Sequence, residues 1–285
     1  MEFNLEDNLP AGLYIISTPI GNLEDISLRA LRILKCLDKI YCEDTRVTKK
    51  LLTRYNINKS LSKYNDFSNE KSRKNIIGEI ENNSSIGLLS DAGTPLISDP
   101  GYKLVRDCMD QNIPVNVIPG PSALVSSVVL SGLPSNKIYF TGFLPVTNSK
   151  RKLEFEKIKS LDATIVIFET AKKLNKTLLD LKQYFGNIKI VITREITKIH
   201  EEVIAQEIDI FIKKICEKPF KGEIVLLFNS SDIIKNPINM IELEDDIKKL
   251  INDLPVKEIT NIIHMKYDVS KKTVYDIYLK LNNNS

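Results

Sequence analysis

Four short segments combine glycine, proline, hydroxyls and carboxylates: Thr18-Pro19-Ile20-Gly21-Asn22, Glu43-Asp44-Thr45-Arg46, Ser90–Gly101 and Pro119–Ala123. Glycine lets a backbone approach a ligand closely, and proline fixes a loop without needing a donor. Hydroxyls at Thr18, Ser90, Thr94, Ser98 and Ser122 add side-chain hydrogen bonds to such a cleft. One such segment would mean a turn; four point to a ligand site. What is absent narrows the ligand. No G-x-x-x-x-G-K-[ST] occurs, and no G-x-G-x-x-G follows the first apolar segment, so a phosphate cradle is not expected. A nucleoside-like ligand without phosphates fits better. Metal chemistry is also not expected. The four cysteines (Cys36, Cys42, Cys108, Cys216) are far apart and sit in apolar stretches, which reads as small buried hydrophobes. His200-Glu201-Glu202 lacks the H-E-x-x-H spacing that places two imidazoles on one helix face.

These segments need elements to hold them. Gly12–Thr18 reads as a buried strand, Ile26–Leu37 has helical spacing, and Lys39–Asp44 is a second strand. Ile86–Ser90 and Val115–Ile118 are two more strands, separated by a helix over Gly101–Gln111, and Pro119–Ser122 opens a further helix. This alternation predicts a mainly parallel sheet covered on both faces, with the four segments after its strands. Ligands in such sheets lie outside the carboxyl ends of the strands. From Lys137 onward a second α/β domain is expected, with more antiparallel pairing. Its strands are Ile138–Thr141, Thr164–Glu169, Ile188–Thr193 and Glu223–Phe228; helices cover Lys150–Ser160, Ala171–Phe185 and the stretch near Glu207–Cys216. Asn229–Asn239 reads as a linker. Leu243–Leu281 has no strand signal; Pro255 starts one helix and Ser270 caps another, a pattern resembling a helix-turn-helix. The expected division is 11–123, 137–229 and a helical region over 243–285.

Over 285 residues the net charge is only +3, with 42% hydrophobic and 27% charged residues, as in ordinary globular chains. The charge is unevenly placed. Between Arg46 and Lys74 stand nine basic residues against two acids, Asp66 and Glu70. This run reads as mostly helical and as either a solvated face or a phosphate-contacting surface. Tyr55, Tyr64 and Phe67 interleave with it and are candidates for base stacking or for core. Apolar runs are too short to span a bilayer, and Met1–Pro10 reads as neither signal nor transit peptide, so the cytosol is expected.

The segments together resemble the ribosomal RNA small-subunit methyltransferase I family. The resemblance is carried by Ser17–Asp25, Glu43–Arg46, Leu89–Gly101, Ile118–Ala123, Gly142-Phe143-Leu144-Pro145, Arg194–Glu202 and Lys221–Val225, in order from about residue 11 to the tail. It implies two α/β domains of tetrapyrrole-methylase type with S-adenosylmethionine in the cleft between them. It further implies 2′-O-methylation of cytidine 1402 of 16S ribosomal RNA by a cytoplasmic homodimer. Carried over by position, the resemblance assigns cofactor binding to Thr18, Pro19, Gly21, Ser90, Asp91, Gly93, Thr94, Pro95, Ile97, Ser122, Ala123, Gly222 and Glu223. One block departs: relatives usually carry Glu-Ser-Pro-His-Arg-Leu where this chain has Glu169-Thr170-Ala171-Lys172-Lys173-Leu174.

A ribose hydroxyl is a weak nucleophile, so a base or a hydrogen-bonding carboxylate should help remove its proton. The candidates are Asp44, Asp91, Glu169, Glu195 and Glu201, ordered with Asp91 first and then Glu195 with Lys198. RNA contact is expected from Arg46, Lys49, Lys50 and Arg54. Two other functions fit the same scaffold: a small-molecule tetrapyrrole methylase, and a non-catalytic RNA-binding or assembly protein. The basic run opposes the first, and the intact Leu89–Gly101 segment opposes the second.

Overall fold

The structure is a computed structural model and describes residues 9–65, 67–233, 240–251, 254–267 and 269–282. One compact unit ends at Asp232 and a second begins at Ile233. The first unit contains two five-stranded sheets.

The first sheet is built from β1 (Gly12–Ile16), β2 (Lys39–Cys42), β3 (Ser60–Lys63), β4 (Ser85–Leu89) and β5 (Val115–Ile118), in the order β3-β2-β4-β1-β5. Every pairing is parallel. β1 and β4 are buried at all five positions, as strands covered on both faces must be. Side-chain caps start the surrounding helices. Ser27 accepts from the Ala30 amide (3.0 Å) ahead of α1 (Leu28–Cys36), and Asp44 from the Arg46 amide (2.8 Å) ahead of α2 (Thr45–Arg54). Asn69 accepts from Ser72 (3.0 Å) to open α3 (Glu70–Glu81). α4 (Tyr102–Asp110) follows β4, and α5 (Ala123–Ser131) follows β5 and ends at Gly132 in the left-handed conformation. The basic run is therefore interrupted by β3, not mostly helical. Ser-Leu-Ser-Lys carries little strand signal and pairs only because β2 offers it an edge.

The second sheet has β6 (Ile138–Phe143), β7 (Thr164–Thr170), β8 (Lys189–Arg194), β9 (Glu202–Glu207) and β10 (Glu223–Asn229), in the order β6-β7-β10-β8-β9. Only β6 and β7 pair in parallel. β9 is a strand that the sequence reading omits: its charged ends hide an alternation, with Glu202, Ile204 and Gln206 half-buried and Val203, Ala205 and Glu207 exposed. Helices α6 (Asn148–Lys159), α7 (Leu174–Phe185) and α8 (Ile208–Glu217) complete this half. α7 starts three residues later than expected.

α5 leaves the first sheet and packs on β8 and β10 of the second, burying Ser127 and Val128. Six of the nine residues of its sequence ALVSSVVLS are apolar and none is charged, as expected of a largely buried helix. Its outer side nonetheless leaves Val125 and Val129 60% and 76% exposed. In the β8–β9 register Val203 faces Thr193 and Ala205 faces Val191, so both share the α5 side of the sheet and extend this apolar strip.

The second unit holds α9 (Met240–Ile251), α10 (Val256–Tyr267) and α11 (Lys271–Asn282). Leu243, Ile247, Ile259, Ile263 and Val274 form its own core, and Ser270 accepts from the Thr273 amide (3.0 Å) to cap α11. Of the expected linker, Asn229 ends β10 and Ser230–Asp232 form a 3₁₀ turn, while residues 234–239 lie outside the described residues. The expectation of four buried cysteines is corrected. Cys42 and Cys108 are buried, Cys36 is intermediate and Cys216 is exposed near the end of α8. Among the described residues no helix is long and apolar enough to cross a membrane, and no group of three His, Cys, Asp or Glu could hold a metal ion.

Candidate functional site

Because β1, β2, β4 and β5 are parallel, the four segments that follow them meet at one edge. They are tied there by short bonds. Thr18 and Gly93 exchange backbone hydrogen bonds (2.9 and 3.0 Å), and the Thr18 hydroxyl donates to the Ser90 carbonyl (3.4 Å). Thr94 Oγ1 lies 3.0 Å from Ser17 Oγ and donates to the Pro121 carbonyl (3.3 Å). Thr18 and Ser90 are buried by these contacts. Their hydroxyls brace the loops against one another.

The second sheet meets this edge through residues 195–201, between β8 and β9. A Cβ on Gly21 would fall 2.5 Å from Lys198 Cγ, 2.7 Å from Thr197 Oγ1 and 2.9 Å from the Ile196 carbonyl oxygen. Only glycine permits that approach. Beside it, Thr197 Oγ1 accepts from the Asn22 amide (3.0 Å). From the other side Gly222, at φ +90°, leaves room that the Glu195 carboxyl fills; a Cβ there would collide with it. Glu195 accepts from the Glu223 amide (2.9 Å) and from Lys198 Nζ (3.0 Å), and Lys198 also pairs with Glu223 Oε2 (3.0 Å). The Glu223 amide, ahead of the Lys198 ammonium, holds the Glu195 carboxyl below its ordinary range despite desolvation. Burial works against charge on Lys198, but its two carboxylate partners outweigh that and raise it.

Between the two sheets lies a cavity of about 260 Å³. Ile20, Ile97, Phe143, Phe168 and Val225 make its walls apolar. Its charged lining is entirely acidic: Asp99, Glu169 and Glu223, with no lysine or arginine among the lining residues. Thr193 also lines it, and its buried Oγ1 has no hydrogen-bond partner among the described residues. Buried polar groups rarely lack partners, so this hydroxyl is available to a ligand. Glu169 is buried, and its carboxylate accepts from the Thr170 amide (2.7 Å) and from the Thr177 hydroxyl. Thr177 in turn accepts from Arg151 Nη2 (2.7 Å), which places a buried cation behind the cavity wall.

A second cluster sits at the ends of β2 and β4. Asp91 Oδ1 accepts from the Asp44 amide (3.0 Å), while Asp44 grips Arg46 at 2.6 Å. Burial pushes the Asp91 carboxyl up, and the Asp44 carboxylate adds to that push, against the Asp44 amide and Arg46. The Arg46 guanidinium holds Asp44 well below the usual range.

A family model for Tetrapyrrole (Corrin/Porphyrin) Methylases matches residues 12–210. The chain is 45% identical over 275 residues to Ribosomal RNA small subunit methyltransferase I of Rickettsia prowazekii (strain Madrid E), covering 95% of this chain and 98% of the relative. The protein of the same name from Thermotoga maritima is 40% identical over 220 residues, covering 77% of this chain and 99% of that one. This chain belongs to the ribosomal RNA small subunit methyltransferase I family. Solved structures share the fold at much lower identity. A diphthine synthase superposes at TM-score 0.61 with 15% identity, covering 76% of this chain and 89% of that one. Uroporphyrin-III C-methyl transferase from Thermus thermophilus, solved with S-adenyl homocysteine, superposes at 0.55 with 15% identity, covering 77% and 98%.

Membership in this methylase family gives the placements meaning. Of the residues assigned to the cofactor, Ile97, Ala123, Gly222 and Glu223 line the cavity. Thr18, Pro19, Ser90, Gly93 and Pro95 are buried and are not among its lining residues, and Thr94 and Gly21 hold loops together. Ser122 stands at the N-cap of α5 without a side-chain cap bond. Glu195 and Lys198 bond each other and Glu223, and among the described residues Asp91 bonds to neither. Within block 169–174, Glu169 and Leu174 are buried, Thr170 lines the cavity, and Lys172 and Lys173 are exposed. Thr193, Phe168 and Asp99 were missed. Asp99 and Phe143 lay inside the recognised segments, but Thr193 becomes visible only through its register opposite Val225.

Replacing Gly222 by alanine forces a Cβ into the Glu195 carboxyl at a φ that side chains rarely adopt. We expect affinity for S-adenosylmethionine, measured calorimetrically, to fall on the order of tenfold or more, since small misplacements in a binding constellation carry large costs. Unchanged affinity would separate the Glu195–Lys198–Glu223 cluster from the ligand.

Proposed function

We propose that this protein transfers a methyl group from S-adenosylmethionine to the ribose 2′-hydroxyl of cytidine 1402 in 16S ribosomal RNA, within the small subunit. The observation that carries the reading is the cavity: apolar walls and three carboxylates, with no cation among the lining residues and Lys198 reaching Glu223 from outside them. That lining suits a ligand bearing a sulfonium and an ammonium, and it repels a pyrophosphate cofactor. Apolar residues such as Ile97 and Phe143 suit an adenine face, and the unpartnered Thr193 hydroxyl can accept or donate to the ligand. The relatives' names supply the ribosomal acceptor.

When bound, the cofactor supplies an electrophilic methyl, and the transfer converts its sulfonium to a thioether as the new O–C bond forms. The chain's own task is positioning and proton removal. Holding the acceptor against the methyl can account for roughly 7–11 kcal/mol of the barrier. Asp91 is our candidate for the hydroxyl proton, because burial and Asp44 raise its basicity. Glu195 and Lys198 are the alternative pair. Glu195 is held low, and its Oε1 accepts from both the Glu223 amide and Lys198, which suits a positioning residue better. Arg46, Lys49, Lys50 and Arg54 present cations for the RNA backbone, all of them exposed on or beside one helix. A tetrapyrrole acceptor would leave them without a role.

We also infer a homodimer in the cytoplasm, joined through the α5–β9 strip. A helix that leaves Val125 and Val129 in solvent beside the exposed Val203 and Ala205 offers an apolar strip of the kind that marks a protein–protein contact.

Three measurements test this reading. Loss of the gene should abolish ribose methylation at cytidine 1402, mapped across 16S ribosomal RNA, and the purified protein should restore it; an unchanged map sinks the assignment. If Asp91 takes the proton, activity falls as pH drops through its raised pKa. Asp44→Asn removes the repelling carboxylate yet still caps α2, so the acid limb of kcat/KM should move to lower pH; a stationary limb excludes Asp91. For the dimer, light scattering should show the double variant Val125→Glu/Val129→Glu as a monomer, and a monomeric parent protein would refute the interface.

A further inference from the structure

α2 runs back from the end of β2 alongside β3, the edge strand of the first sheet. Between helix and strand lies an open groove of about 340 Å³. Its floor is Leu52, Ile57 and Leu61, and the first two are buried members of the first sheet's core. That makes the floor apolar and rigid. Arg46, Lys49 and Lys59 line it, and no carboxylate does. The other two cations of the helix, Lys50 and Arg54, are not among the lining residues. Among the described residues Lys49 and Lys59 form no ion pair, although Lys59 lies close enough to Asp38 to help hold that carboxyl low. Arg46 is gripped by Asp44, whose amide bonds Asp91. One end of the groove is thus continuous with the cluster that carries the candidate base.

We propose that this groove is a binding subsite for one nucleotide of the RNA strand flanking the methylated residue, an inference that rests on the ribosomal RNA reading above. An apolar floor with a cationic rim matches the two halves of a nucleotide. The base or ribose face covers Leu52, Ile57 and Leu61, and the phosphates meet Lys49 and Lys59. A volume of about 340 Å³ falls in the range of roughly 300–1,000 Å³ that small-ligand pockets occupy. The subsite gives the basic run a fixed register. Lys50 and Arg54 add only diffuse attraction, which falls off over about 8–10 Å at ordinary salt.

The test uses the full chain and a short single-stranded RNA spanning the acceptor cytidine. Lys49→Ala/Lys59→Ala should lower RNA affinity about tenfold or more. It should also flatten the dependence of log K on log salt by about 1.4, since each single-strand phosphate contact contributes about 0.7. Lys50→Ala/Arg54→Ala removes only diffuse attraction and should cost clearly less affinity than the lysine pair, with less than half its change in slope. Thr53→Trp fills the groove without changing charge, because Thr53 lines it from an exposed position on α2, and should weaken binding as much as the lysine pair. Calorimetric affinity for S-adenosylmethionine should be the same in all three variants, which also reports that each is folded. Equal losses from both charge pairs, or no effect of Thr53→Trp, would overturn the subsite while leaving the RNA reading standing. Failure of the parent protein to bind the RNA, with cofactor binding intact, would overturn both.

Discussion

The molecule depends on one close approach. Gly21, after the first strand of one sheet, meets the backbone and side chains of Ile196, Thr197 and Lys198 from the other, with no space for a Cβ. The cavity exists because this contact holds two separately built sheets edge to edge. Gly222 does the equivalent from within the second sheet, leaving the Glu195 carboxyl a place against the Glu223 amide. Residues 195–198 are thereby seated from two sides. A Cβ at Gly21 would press on the Ile196 carbonyl oxygen and so on backbone, whereas one at Gly222 would displace the Glu195 carboxyl from its seat.

Charge is divided as cleanly as the packing. The lining between the sheets is acidic, and the face along α2 and β3 is basic, within a chain whose net charge is only +3. On the proposed function, a cofactor carrying positive charge and a substrate carrying negative charge would be drawn to different places. Asp44 and Arg46 sit at the boundary. Arg46 is attracted to phosphate but held by Asp44, and Asp44 both raises the Asp91 carboxyl through its charge and restrains it through its amide. The candidate base is poised by the same group that anchors Arg46, the arginine proposed to meet RNA.

Much of this was legible in the sequence, for reasons that differ from residue to residue. The strand-end segments announced themselves because glycine, proline and small hydroxyls are needed wherever loops must brace one another, as Thr18 braces Gly93 and Thr94 braces Pro121. β1 and β4 were legible because full burial demands unbroken apolar runs. β3 was not, since an edge strand of Ser-Leu-Ser-Lys owes its form to β2 and not to its own residues. Thr193 was hidden for a different reason. Whether a strand residue faces a cavity or a helix is decided by register, and the register of β8 against β10 is a tertiary fact. Thr18 and Ser90 show what spacing alone leaves out: their hydroxyls donate to the carbonyls of Ser90 and Ala92, a loop-bracing role that only the folded chain reveals.

The backbone shows why these loops are held so firmly. Leu96 and Ser98 on one side of the cavity, and Glu195 and Thr197 on the other, take positive φ values of 75°, 66°, 51° and 65°. For residues with side chains, and above all for a β-branched threonine, such conformations are unfavourable by about 1–3 kcal/mol each and persist only where surroundings over-determine them. The surroundings here are identifiable. Ser98 faces Gly142 at a bulge in β6, while Thr197 receives the Asn22 amide and donates its own amide to Glu201. Each strained pair brackets one apolar residue, Ile97 or Ile196, and both of those line the cavity. The left-handed turns aim two isoleucines into the cleft from opposite sheets. The walls are therefore set before any ligand arrives, and the binding energy of a ligand need not be spent on shaping them.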